Sequence, residues 1–144
     1  MKIIFLDIDG VLVTTSNFND RIDKSMVANP LCIDALNYII DKTDAKIVIS
    51  SAWKYCGQQE MSLILKYWGV NGEVIGLVPN VDIGFFREEE IKSCIQSLEN
   101  VESIVIIDDM KLNFPMWLVK TDFESGLTKK LAEKAIAILE ENNE

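Results

Sequence analysis

The feature that most constrains this chain is the run Ile3-Ile4-Phe5-Leu6, four consecutive apolar residues that end in Asp7-Ile8-Asp9-Gly10. A short apolar run without alternation reads as a strand covered on both faces, the situation of a parallel sheet with helices packed above and below it. In an open sheet of that kind the functional crevice lies beyond the carboxyl ends of the strands. Asp7 and Asp9 are expected to reach into it, while Gly10 lets the chain turn away. Two carboxylates at an exposed strand end suit a hard cation such as Mg²⁺, which takes oxygen ligands from one or two carboxylates together with substrate phosphate and water. Read alone, the segment is equally an ordinary strand exit rich in Asp and Gly.

Three other places add different chemistry. The apolar run Ile47-Val48-Ile49 ends in Ser50-Ser51, Arg87 opens a later segment with helical period, and Ile104 to Ile107 ends in the adjacent acids Asp108-Asp109. Composition narrows what such groups can do. The chain has no histidine, which removes serine–histidine triads, histidine general bases and histidine zinc sites. An acid-acid-metal mechanism remains. The formal charge of -9 argues against a broad electrostatic grip on nucleic acid. A nucleic-acid substrate would need a local basic patch, for which Lys54, Lys66, Arg87, Lys92 and Lys111 are the candidates near the predicted active edge.

With 144 residues, 49% of them hydrophobic, the chain suits one domain over 1–144 whose sheet is covered on both sides. Strand-like runs alternate with segments of helical period, so the expected fold is α/β: a single Rossmann-like three-layer domain with a mostly parallel central sheet. A first helix is predicted from Asn29-Pro30, with Asn29 as side-chain cap, to about Thr43, carrying Leu36, Ile39 and Ile40 inward. A second shows Met61, Ile64, Leu65 and Trp68 at i, i+3, i+4, i+7, stopped by Gly69. A third repeats the spacing with Ile91, Cys94, Ile95 and Leu98. The last runs from about Thr128 to Asn142, with Leu131, Ala135 and Ile138 facing the core. Val74-Ile75, closed by Gly76, and Met116 to Val119 read as further short strands.

Cys32, Cys56 and Cys94 are odd in number and lack metal-type spacing, so free thiols are expected, two of them on the apolar sides of helices. The N-terminus carries no leader-like pattern and no apolar run reaches membrane-spanning length; a soluble, cytoplasmic protein with no membrane partner is expected. Neither the interval from Asp9 to Ser50 nor that from Ser51 to Arg87 has room for a folded lid. The polar loop Thr14 to Ala28 is predicted to act as a short flap over a site with little or no cap, open to large substrates.

The order of these groups, an acidic DxDG after the first strand, then a strand-terminal Ser, a basic residue and a strand-terminal pair of acids, is similar to the four motifs of the haloacid dehalogenase-like (HAD) phosphohydrolases. The segments Phe5 to Leu12, Ile47 to Lys54, Arg87 to Ile91, Ile106 to Asp109 and Gly126 to Thr128 resemble more narrowly the small HAD domains of RNA-repair proteins. The resemblance implies a Mg²⁺-dependent phosphomonoester hydrolase with Asp7 as nucleophile, forming an aspartyl-phosphate. It implies that Asp9 protonates the leaving oxygen and then activates water, and that its backbone carbonyl joins Asp7 and Asp108 as a metal ligand. Asp109 either shares direct ligation with Asp108 or orients metal-bound water. Ser50 through its hydroxyl and Ser51 through its backbone N–H are the implied phosphoryl donors, with Gly10 beside the substrate. Arg87, or alternatively Lys92, is the balancing cation, and Trp53 and Lys54 are candidate contacts to a nucleotide. The implied partner is a phosphorylated substrate, extending to a nucleotide or a nucleic-acid end. Two rivals stand beside this reading: a non-catalytic HAD-fold binding or regulatory module, and a phosphoacceptor receiver domain. The receiver would carry its adjacent acids after the first strand, whereas here they come late, at Asp108-Asp109.

Overall fold

The computed structural model describes residues 1–15, 28–79 and 87–141. In chain order the elements are β1 (Lys2–Leu6), α1 (Pro30–Thr43), β2 (Lys46–Ile49), a short 3-10 helix (Ala52–Cys56), α2 (Gln58–Trp68), β3 (Val74–Leu77), α3 (Arg87–Ser97), β4 (Ser103–Asp108), β5 (Leu118–Lys120) and α4 (Lys129–Glu140). The strands form one sheet in the order β3-β2-β1-β4-β5, and every pairing is parallel. The predicted α/β, Rossmann-like core is therefore present, with its described strands wholly parallel.

β1 holds the centre because it has no face or edge to give to solvent. Its backbone pairs with β2 on one side and β4 on the other, and Ile3 to Leu6 are fully buried. Alternation sorts its side chains between two layers. Ile4 and Leu6, with Ile47, Ile49, Val105 and Ile107 of the flanking strands, pack against α1, α2 and α4. Ile3 and Phe5, with Val48, Ile104 and Ile106, meet Ile91 and Cys94 of α3. The chain runs outward from β1 to β3 and then returns past β1 to β4. Because parallel crossovers are right-handed, that reversal carries α3 to the opposite face from α1 and α2. β1 and β4 part company at this switch point, and their carboxyl ends carry Asp7 and Asp108.

The helices begin and end as the side-chain chemistry demands. Asn29 Oδ1 accepts from the Leu31 N–H and Pro30 occupies the first helical turn of α1; Gly69, at φ 95°, ends α2 in the left-handed region; Thr128 Oγ1 accepts from the Leu131 N–H to cap α4. Cys32 and Cys94 are buried free thiols, and Cys56 is a free thiol at the surface. No helix among the described residues is long and apolar enough to cross a membrane.

Three expectations need correction. Gly76 does not close β3 but lies within it, opposite Val48, next to a register shift between Ile47 and Val48; the missing side chain is tolerated at this edge strand. The last strand is Leu118–Lys120, and Met116 is exposed, because Phe114, Trp117 and Leu118 are joined by tight local hydrogen bonds before the strand starts. α4 ends at Glu140, short of Asn142; Ala132, Ala135 and Leu139 are its most buried residues, and Leu131 and Ile138 pack partly buried against the same core, as expected. The predicted flap falls mainly on 16–27, outside the described residues.

The segment before α4 is wedged against the loop that follows β1. Leu127 N–H donates to Val11 O, and Gly126 has φ 65°. A Cβ at position 126 would lie 2.6 Å from Val11 O and 2.8 Å from Cys32 Sγ. Gly126→Ala is therefore expected to cost about 2–3 kcal/mol through backbone strain and steric displacement together, measured as a lowered urea midpoint with unchanged slope.

Candidate active site

Three strand exits converge at the switch point. Asp7 leaves β1 still tied to the sheet, its N–H donating to Ile107 O at 3.0 Å; the Ser50 N–H donates to Leu6 O at 2.9 Å; and Asp108 ends β4 with its carbonyl accepting from the Thr121 N–H. The three side chains thus start from backbone that the sheet holds rigidly. Asp7, Ser50 and Asp108 are buried, while Asp9 and Asp109 are half-buried.

Among the described residues, one cation sits with these acids. Arg87 Nη1 donates to Asp108 Oδ1 at 3.0 Å and Oδ2 at 2.9 Å and lies 3.2 Å from Asp7 Oδ2. Lys92, the alternative cation, is exposed and 4.0 Å from Glu89 on its own helix. Asp7 Oδ1 accepts from the Ile8 N–H, and Asp108 Oδ1 from the Met110 N–H. Carboxylate oxygens of Asp7, Asp108 and Asp109 lie within 4.8 Å of one another. Three acids against one guanidinium leave an excess of negative charge on hard oxygen donors, which fits a divalent cation such as Mg²⁺. Asp9, expected at the metal through its backbone carbonyl, has its carboxylate outside this group.

The crowding is visible in the ionisation equilibria. Burial first, and then the charge of Asp108, push the Asp7 carboxyl up to about 8, against the opposing pull of Arg87 and the Ile8 N–H. Asp108 is raised by burial as well, although Arg87 draws it down. Burial lowers the Arg87 guanidinium, but the surrounding acids, Asp7 and Asp108 foremost, outweigh it and hold the guanidinium above its ordinary value.

The turn after β1 is wound tightly enough to aim Asp9. Ile8 O accepts from the N–H groups of Val11, Leu12 and Val13, and Gly10 has φ 85°. A Cβ at Gly10 would lie 2.5 Å from Asp109 Oδ2, so the glycine is also required by close approach of the two acidic loops. Thr121 Oγ1 donates to Gly10 O at 2.7 Å from the far side. Trp53 Nε1 donates to Asp9 Oδ2 at 3.2 Å. Among the described residues, Asp9 Oδ1 and Ser50 Oγ are left buried without a hydrogen-bond partner.

Ser51 Oγ accepts from the Trp53 N–H and caps the 3-10 helix. Lys54, expected to face the substrate, is buried: its Nζ lies 2.8 Å from Glu90 Oε1, and the two side chains are 8% and 11% exposed. Sequence reasoning missed Glu90, Trp53 as the partner of Asp9, and Thr121. Glu90 had a signal, since it stands three residues after Arg87 and so shares its helix face. The other two are paired across 44 and 111 residues of chain, which no local pattern encodes.

Fold and site together define a Rossmann-like α/β domain with a buried acidic cluster at its switch point. The model of the family described as the HAD domain in Swiss Army Knife RNA repair proteins matches residues 3–132, and the chain belongs to that family. Neither a curated protein nor a solved structure matches it.

Two expected outcomes follow from the electrostatics. Because the folded protein holds the Asp7 proton more tightly than the unfolded chain, whose value is near 3.8, this group's contribution to stability is present at low pH and declines as pH rises from about 4 to about 8. In metal-free protein Asp7→Asn is therefore expected to raise Tm relative to wild type at pH 8 and to leave it nearly unchanged at pH 4, read from melts at both pH values. Lys54→Met strands a buried carboxylate at Glu90 and is expected to cost about 3–5 kcal/mol. The double variant Lys54→Met, Glu90→Leu should recover most of that loss in chemical denaturation.

Proposed function

We propose that the protein is a Mg²⁺-dependent phosphomonoester hydrolase acting on a nucleotide or the terminal phosphate of a polynucleotide. The observation that carries this reading is the pair of polar atoms Ser50 Oγ and Asp9 Oδ1 beside the acidic cluster, both buried and both without a partner among the described residues. Leaving a buried polar atom unsatisfied costs about 1–3 kcal/mol, and such atoms are retained where a ligand completes them. A phosphoryl group supplies the acceptor oxygen for Ser50 and the leaving oxygen for Asp9. Membership of a family of RNA-repair HAD domains supports the same chemistry.

In this reading an Asp7 carboxylate oxygen attacks phosphorus in line, the bond from phosphorus to the ester oxygen breaks, and Asp9 donates a proton to the departing alcohol. Asp9 then takes a proton from water as the water oxygen attacks the aspartyl-phosphate, which releases phosphate and restores Asp7. The Trp53 N–H holds one Asp9 oxygen, so that the free oxygen faces the reacting bond. Ser50 donates its hydroxyl, and Ser51 its backbone N–H, to the phosphoryl oxygens, while the Gly10 turn leaves room beside them. Arg87 balances charge between nucleophile and phosphate. Lys54 serves from behind, holding Glu90 and with it the first turn of α3. Magnesium, held by Asp7, Asp108, Asp109 and the Asp9 carbonyl, would supply the positive charge that phosphoryl transfer requires.

The test is phosphate release with Mg²⁺ across nucleotides, terminally phosphorylated oligonucleotides, phosphosugars and phosphopeptides. Turnover of nucleotides or oligonucleotide ends is expected, falling at least 1,000-fold, about 4 kcal/mol in the barrier, in Asp7→Asn and vanishing in excess chelator. Activity that survives either change would overturn the mechanism; no release from any ester by the wild type would leave a binding module.

A further inference from the structure

Beyond Trp53 the surface is apolar where a solvent-facing helix is ordinarily polar. α2 buries Met61 and Leu65 in the core, yet its outward positions Leu63 and Tyr67 are 56% and 88% exposed. With Trp53, Glu60, Ile64 and Trp68 they line a shallow hollow of about 380 Å³, within the range of roughly 300–1,000 Å³ typical of small-ligand sites. Trp53 is common to this hollow and to the acidic site. Its Nε1 is on Asp9, while its ring packs edge-on to Trp68 with centroids 5.6 Å apart.

We propose that this hollow is a base-binding subsite, which receives the nucleobase of the nucleotide whose phosphate lies between Asp7 and Ser50. The inference rests on the phosphatase reading above and deepens it by naming what the enzyme grips besides phosphate. Charge selects the occupant. The chain carries -9, and of the five cations expected to be able to hold a nucleic-acid backbone, two are spent inside the fold, Lys54 on Glu90 and Arg87 on Asp7 and Asp108. Affinity for a nucleotide must then come from its uncharged part, and aromatic side chains bind bases by stacking irrespective of sequence. Glu60 at the rim disfavours a second phosphate but accepts hydrogen bonds from the amino and imino groups of a base. The indole of Trp53 spans the interval between Asp9 and the hollow, so one nucleotide bridges both, its phosphate inward and its base outward.

The experiment compares nucleoside 3′- and 5′-monophosphates with ribose 5-phosphate, which lacks the base, in wild type, Tyr67→Ala and Leu63→Ser; neither substituted side chain touches the catalytic groups. Each variant is expected to raise KM for a nucleotide by tenfold or more and to leave kcat/KM for ribose 5-phosphate unchanged. Quenching of tryptophan fluorescence by nucleosides without phosphate supplies a readout that needs no turnover, and it should saturate in the wild type and be lost in Tyr67→Ala. Saturable quenching without hydrolysis of any ester would uphold the subsite and sink the phosphatase reading. Equal KM changes for both substrates, or no saturable quenching, would overturn the proposal. Loss of self-association in Tyr67→Ala with an unchanged KM ratio would overturn it too, and assign the face to contact between copies of the chain.

Discussion

Asp7 and Asp108 are forced together by the sheet. They stand at the carboxyl ends of adjacent parallel strands, whose backbones lie about 4.8 Å apart, and the register pairs Leu6 with Ile107 so that the next residues on each strand are neighbours. Both are buried. Two such acids repel one another and resist ionisation, and the fold answers with Arg87, whose single Nη1 is within 3.2 Å of both. That cation is delivered from the opposite side of the chain reversal, by the first residue of α3. Ile91 and Cys94, buried one and two turns further on, seat the helix against the sheet, and the buried pair of Lys54 and Glu90 ties its first turn to the segment leaving β2. The acidic site and the packing of α3 are therefore one problem: loosening the helix withdraws the charge that lets the strand ends coexist.

Around that cluster the protein keeps polar groups in costly surroundings. The Asp7 carboxyl is pushed up to about 8, and Ser50 Oγ and Asp9 Oδ1 are buried with no partner among the described residues. A chain selected for stability alone would replace the first with an uncharged side chain and satisfy the others. Rigidity comes from outside the cluster. Thr121 clasps the Gly10 carbonyl, Gly126 and Leu127 close on Val11, and the Trp53 indole holds Asp9. These contacts come from distant parts of the chain, which is how a short loop can aim a carboxylate.

A domain of an RNA-repair family with a charge of -9 presents an apparent conflict, since nucleic-acid affinity ordinarily rests on counterion release from phosphates. The conflict eases once recognition is confined to one terminal nucleotide. A single phosphate can be met by the acidic site with its balancing cations, and a single base by an aromatic surface, with no stripe of lysines along a strand. The exposed Leu63 and Tyr67 on α2, adjoining Trp53, have the chemistry for the second contact.

How much of this was legible in the chain divides along physical lines. The strands were legible because burial on both faces leaves uninterrupted apolar runs, and the helix limits at Asn29-Pro30, Gly69 and Thr128 because caps and left-handed turns demand particular side chains locally. Asp7, Ser50 and Asp108 stood out because each ends such a run, so strand position alone brings them to one edge. Three-dimensional packing decided the rest. Whether Arg87 or Lys92 meets the acids depends on which side of α3 faces the switch point, and that follows from the crossover rather than from the residues' spacing. Lys54 looked like a surface cation because its partner Glu90 lies 36 residues away, and the Trp53 bond to Asp9 spans two strand exits. Local sequence determines which elements form and what chemistry their ends carry; the partner each charged side chain finds is set by a long-range balance of desolvation against pairing, which exists only once the sheet and α3 have come together.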